Sequence, residues 1–315
     1  MKMCLVFSLL TLPMRASDLS EALEKRISAG PGKVSLAARN LKTGQSIQIR
    51  GPEKVRTAST IKLPILVDLY ALAAEQKINL DEELTMKQAD VVSGSGVLRE
   101  LSVGTKLKLR DVANLMIVVS DNTATNICIG RIGADSVNAR MDAIGLPGTR
   151  LMRKVRGDGS QLSAPQGWSK AGLLETNKIY GLGSTTPLEM ISLLGMIEAG
   201  KLPGSAAMLS ILKRQQYNDG LGRKLAGLIV ANKTGSLDHL RSDVGIVYTK
   251  GGPIAIAITV EDIPDIDYGE DNPGLLMVAD IARIISEAWG GDGEELKSPT
   301  PSSESPIALL RLERL

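Results

Sequence analysis

Strand-like segments stand at the two ends of this chain and helix-like segments fill its middle, so one sheet must gather its strands from distant parts of the sequence. Near the start, Lys33–Asn40 and Gln45–Arg50 flank Leu41-Lys42-Thr43-Gly44 and read as a β-hairpin with glycine at the turn. Near the end, Ala226–Asn232, Arg241–Thr249 and Pro253–Val260 read as three more strands. Between them, Ile61–Gln76, Leu109–Ile129, Asp135–Ile144 and Pro187–Ala199 carry helical apolar patterns. Helices are also expected over 18–30, which opens on Asp18 and stops at Gly30-Pro31-Gly32, and over Gly274–Trp289. The expected fold class is therefore α/β, in the sense of an α+β sandwich. An antiparallel sheet from residues 18–60 and 220–291 is flanked by helices, and an all-helical lobe is inserted at about 61–219. A cleft between the two parts is the natural place for a site.

The 315 residues, 43% of them hydrophobic and 23% charged, are enough to bury a full core. Charges nearly cancel, 37 basic against 35 acidic, and no basic run is interleaved with aromatics, so a nucleic-acid partner is not expected. A small-molecule substrate fits better. Cys4, Cys128 and the single His239 are too few for the usual zinc sites, and no metal or cofactor is expected. Residues 1–17 combine a charged start, a short apolar run ending at Leu12 and small residues at Ala16-Ser17. They read as a signal peptide too short to span a bilayer, which predicts a secreted or periplasmic protein with no stable membrane span. The Pro- and Ser-rich stretch Ser298–Pro306 marks 292–315 as a flexible tail.

Three short patterns follow in order: Ser59-Thr60-Ile61-Lys62, Ser120-Asp121-Asn122 and Lys233-Thr234-Gly235. Each alone is weak, since Ser210-Ile-Leu-Lys213 also fits the first and Lys42-Thr43-Gly44 the last. Context separates them. Ser59 opens an apolar helix after a loop, Ser120-Asp121-Asn122 ends a hydrophobic helical run, and Lys233-Thr234-Gly235 extends a strand. Residues three apart on a helix share a face, so Lys62 is able to reach the Ser59 hydroxyl. A lysine acts as a base at neutral pH only if burial or a neighbouring cation, such as Lys233, lowers its pKa. The helix start at Ser59 offers a backbone N–H, and Gly235 lets a strand approach so that the Ser236 N–H faces the same point. A Ser-His-Asp triad would rest wholly on His239 and is the weaker reading. Ser120-Asp121-Asn122 taken by itself also reads as a helix cap.

The trio resembles the class A β-lactamase and penicillin-binding-protein superfamily of serine hydrolases. The similarity extends over about Asp18 to Trp289 and takes in Ser93–Leu98, Gln215–Lys224 and Arg241–Gly245. It implies Ser59 as nucleophile, Lys62 as base, Ser120 as proton relay to the leaving nitrogen and Asn122 as a contact to the substrate amide. It also implies Lys233 and Thr234 as carboxylate-binding residues, and Ser236, beside Gly235, as part of an oxyanion hole. The implied partner is a β-lactam, or alternatively a D-alanyl peptide or ester, and a binding protein that acylates and stalls is a third possibility. One departure stands out. Class A enzymes carry a loop glutamate in a Glu-x-x-Leu-Asn pattern before Thr-Thr-Pro; Thr185-Thr186-Pro187 is here, but Val155 falls where that glutamate belongs. Glu175 is the alternative deacylation base, against the plainer reading of a solvated loop carboxylate.

Overall fold

The computed structural model describes residues 16–291. The tail and almost all of the expected signal peptide lie outside the described residues; its last two, Ala16 and Ser17, open the first helix. The helices are α1 (Ala16–Ser28), α2 (Lys62–Ala74), α3 (Leu109–Val118), α4 (Asn122–Ile132), α5 (Ala134–Ala143), α6 (Pro187–Glu198), α7 (Ser205–Leu212) and α8 (Pro273–Trp289). The main sheet is antiparallel, in the order β2 (Ser46–Ile49), β1 (Lys33–Asn40), β10 (Gly252–Glu261), β9 (Leu240–Thr249), β8 (Ile229–Leu237). Short pairings join β4 (Glu83–Thr85) to β5 (Lys106–Lys108), and join β3 (Val55–Arg56) and β6 (Arg150–Leu151) to β7 (Gly183–Thr185).

Strand alternation explains how the sheet is covered on both faces. In β10, Ile254, Ile256 and Ile258 join Val34, Leu36 and Ala38 of β1 in the core under α1 and α8. The intervening Ala255 and Ala257, with Ala37, belong to the other core, where α6 crosses β1 and β10. Small side chains on that face let the helix approach, and large ones on the opposite face fill the space under α8. The expected mixed fold with an inserted lobe is observed, but the lobe is not all-helical: β4, β5, β6 and β7 lie within 61–219. Within the lobe, Asp68 of α2, whose side chain is fully buried, accepts from Ser136 at 2.6 Å and from Arg140 at 3.0 Å, which ties α2 to α5. Among the described residues no helix is long and apolar enough to cross a membrane.

Beyond shifts of one or two residues at element ends, two segments differ from the sequence reading and one helix is new. Leu109–Ile129 is two helices, because Ser120 turns to φ +51° and Asp121 caps the second, its Oδ1 accepting from the Ala124 N–H at 2.8 Å. Apolar periodicity runs across that break because both helices bury residues in the same core. The strand expected at Ala226 begins at Ile229 and continues through the Lys233 motif to Leu237. The helix α7 was not anticipated at all.

Candidate active site

The nucleophile candidate sits at a strained entry to a helix. After β3 the chain makes a 3-10 turn over Ala58–Ile61 and passes directly into α2. Ala58 takes φ +46°, a value that residues with a Cβ rarely adopt and that is met chiefly where the surroundings enforce it. Ser59 follows, half-buried, on the wall of a cleft of about 250 Å³ shared with Ser95, Ser120, Thr234, Gly235 and Ser236.

Beneath the cleft, Lys62 and Lys233 are both fully buried. Lys62 Nζ lies 2.7 Å from the Ser120 carbonyl, 2.8 Å from Asn122 Oδ1 and 3.1 Å from Ser120 Oγ. Lys233 Nζ donates to the same Ser120 Oγ at 2.9 Å and to the Thr234 carbonyl at 2.9 Å. One hydroxyl therefore bridges two amines. The three contacts of Lys62 suit an ammonium's three donors. They also suit the neutral amine, whose two N–H bonds satisfy the two carbonyl-type oxygens and whose lone pair is left for a hydroxyl proton.

Burial is the largest influence on both amines. It pushes the Lys62 pKa well below the usual lysine value; the charge of Lys233 lowers it further, and Asp121 opposes with a smaller effect. Lys233 is pushed down to about 7, also by burial, with Asp243 acting in the opposite direction. A buried amine with a lowered pKa beside a serine has the chemistry of a general base.

The other wall is the edge strand β8. A Cβ on Gly235 would stand 2.8 Å from the Thr57 carbonyl and 3.1 Å from the Ser59 nitrogen, so glycine is what allows the strand to lie against the turn that carries Ser59. That approach sets the backbone of Ser59 beside the strand that continues into Ser236, and both residues line the cleft. Opposite, Asp121 Oδ2 accepts from the Val97 and Leu98 N–H groups at 2.6 and 2.8 Å. The Asn122 amide donates to the Ser93 carbonyl at 3.1 Å. The Ser120-Asp121-Asn122 pattern is thus both a helix cap and part of the cleft.

Eight of the expected residues meet here: Ser59, Lys62, Ser120, Asn122, Lys233, Thr234, Gly235 and Ser236. Glu175 does not join them. Its side chain is 84% exposed and ion-paired with Lys178 at 2.8 Å, the position of a solvated loop carboxylate. His239 is exposed and contacts the Ile263 carbonyl through Nδ1. The look-alike serine Ser210 is exposed on α7, and Lys42-Thr43-Gly44 lies at the β1–β2 turn. Val155 is half-buried, its N–H and C=O held by the Asn126 side chain at 2.8 and 2.9 Å.

Other lining residues gave little or no signal in the sequence. Tyr268 and Leu275 reach the cleft from the loop before α8 and from its first turn, far from any motif. Tyr217, Asp219, Gly220 and Arg241 come from the two segments noted for their family resemblance, without residue-level roles.

The whole arrangement has relatives. A family model described as the β-lactamase enzyme family matches residues 18–289. A β-lactamase of Rhodobacter capsulatus is 26% identical over 288 residues, covering 88% of this chain and 90% of that protein. The crystal structure of a β-lactamase from Sphaerobacter thermophilus superposes with a TM-score of 0.75 at 28% identity, over 89% of this chain and 100% of that one. PBP-A superposes with a TM-score of 0.74 at 27% identity, over 88% and 98%, and a substituted form of it has been solved as an acyl-enzyme complex with penicillin G. With the family match extending from α1 to the end of α8, and a serine flanked by two buried lysines inside it, this chain belongs to the β-lactamase enzyme family of serine hydrolases.

Proposed function

We propose that Ser59 opens the amide of a β-lactam through an acyl-enzyme and that hydrolysis of this intermediate is the slow step. The observation that carries the acylation half is Ser120 Oγ, 3.1 Å from Lys62 Nζ and 2.9 Å from Lys233 Nζ at the floor of the cleft that holds Ser59. Neutral Lys62 takes the Ser59 hydroxyl proton as Oγ attacks the carbonyl carbon. The N–H groups of Ser59 and Ser236 receive the oxyanion. As the tetrahedral species collapses, the carbon–nitrogen bond breaks and the Ser120 hydroxyl gives its proton to the leaving nitrogen, recovering one from the lysine ammonium beside it. Lys233 and Thr234 take the substrate carboxylate, and Asn122 takes its side-chain amide.

The deacylation half rests on Val155, which stands where the family's loop glutamate is expected, and on Glu175, which is exposed, paired with Lys178 and not among the residues lining the cleft. The same geometry suits a D-alanyl peptide, whose acyl-enzyme would pass to an amine or to water. Export to the periplasm or medium is part of this proposal, since both substrate classes lie outside the cytoplasm. Turnover of a chromogenic cephalosporin followed together with intact mass tests it. A burst of one equivalent, a persistent adduct on Ser59 and slow steady turnover are expected. Rapid turnover without adduct would overturn the slow-deacylation half, and absence of any adduct or product would overturn the assignment itself.

A further inference from the structure

Two charged residues line the cleft, Arg241 and Asp219, and only one of them is used by the protein itself. Arg241 is 1% exposed and its guanidinium is spent on the backbone. Its Nη1 donates to the Leu237 and Leu240 carbonyls at 2.5 and 2.6 Å, its Nη2 donates to the Asp267 carbonyl, and the Tyr268 ring lies 4.8 Å away. Asp219 is the opposite case: it is half-buried, and among the described residues its side chain makes no hydrogen bond or ion pair. A carboxylate partly withdrawn from water and left without a counter-charge has lost solvation that a cationic ligand would offset. The segment that carries it is held at both ends. Gln215 Oε1 accepts from the Gln216 and Tyr217 N–H groups at 2.9 and 3.1 Å, and Gln215 Nε2 donates to the Ile117 carbonyl at 2.9 Å. At the far end the Leu221 N–H donates to the buried Asp243 Oδ2 at 2.9 Å.

Tyr217 is presented on the same pinned segment. It is 40% exposed, lines the cleft, and among the described residues its ring is covered by no lysine or arginine. A carboxylate and an open aromatic ring on one wall suit an organic cation. The rest of the lining fixes which end of a substrate would carry it. Thr234, the proposed carboxylate contact, lines this cleft with Asp219, whereas Asn122, the proposed contact of the side-chain amide, does not. We propose that Asp219, beside the open ring of Tyr217, is a specificity-determining residue that selects β-lactams bearing a cation on the carboxylate side of the scissile amide, as in a cephalosporin with a 3′ pyridinium. The inference rests on the acyl-enzyme reading given above.

Cephaloridine and cephalothin share the thienylacetyl side chain and differ in a 3′ pyridinium against a 3′ acetoxy group. The ratio of their rates of Ser59 acylation, read by intact mass, isolates that substituent, and intrinsic reactivity cancels when wild type and variant are compared. In Asp219→Asn the cephaloridine rate is expected to fall about three- to fivefold. The cephalothin rate is expected to stay level or rise slightly, because a repelling charge is removed from the path of an anionic substrate. An unchanged ratio would overturn the inference. Salt supplies a second measurement on the wild type, which holds if the variant fails to fold. Screening weakens the attraction between pyridinium and carboxylate, so the cephaloridine-to-cephalothin ratio is expected to fall between about 0.05 and 1 M sodium chloride. A flat ratio, or one that rises as for a wall that repels cations, would overturn the inference equally. Absence of an adduct from both compounds would strike the acyl-enzyme reading itself, whereas adducts from both at a ratio indifferent to Asp219 would strike this inference alone.

Discussion

The floor of the cleft and the loop between Met152 and Ser184 use their charged side chains in contrasting ways. On the floor, Lys62 and Lys233 are fully buried, and both contact Ser120 Oγ. In the loop, Glu175 and Arg153 spend their charges on other partners, and neither is among the residues that line the cleft. Glu175 pairs with Lys178 at the surface, and Arg153, 6% exposed, spends its guanidinium on the carbonyls of Lys154, Arg156 and Gly157. The contrast teaches that forming and cleaving an acyl-enzyme are separable constructions. The first needs a desolvated base and a proton relay, and the second needs a group that orients water from the loop side.

Substitutions break the comparison in order of effect. Ser59→Ala is expected to abolish the covalent adduct seen by intact mass, and normal acylation in that variant would remove the floor from the mechanism altogether. Lys62→Ala is expected to slow acylation by about 10²- to 10⁴-fold in stopped flow, the range for loss of a general base. Because burial and Lys233 hold Lys62 below its ordinary pKa, wild-type acylation is expected to rise with pH as Lys62 loses its proton, and this acid limb is expected to vanish in the variant. Val155→Glu adds a carboxylate to the loop side. The adduct lifetime is expected to shorten by about tenfold or more while acylation changes little, and an unchanged lifetime would show that the loop geometry, rather than the missing acid, limits hydrolysis. Glu175→Gln is expected to leave steady-state turnover within about twofold, as for an exposed ion pair away from the chemistry. A large loss there would restore Glu175 to the reaction and erase the contrast.

Local pattern was enough to place the hairpin at Leu41–Gly44, the apolar helix behind Ser59 and the chain of motifs, because alternation, helical periodicity and turn glycines are encoded over a few residues. At Ser120 the two local signals disagreed: the apolar pattern continues through the turn, while the helix-cap reading of Ser120-Asp121-Asn122 marks the break that the structure contains. Local pattern did not give α7 or the contribution of Tyr268, which reaches the cleft from a loop without periodicity.

By itself the sequence determined which side chains are available for chemistry: one ordered set of serines and lysines, and a valine where a loop acid is expected. Tertiary structure alone decided their state. Ser120 lies 58 positions from Lys62 and 113 from Lys233, and the three meet only because the helical lobe closes on the edge of the sheet. Loss of water around an amine and the nearness of a second charge are properties of that packing, and they set which lysine keeps its proton. No stretch of sequence a few residues long contains either quantity.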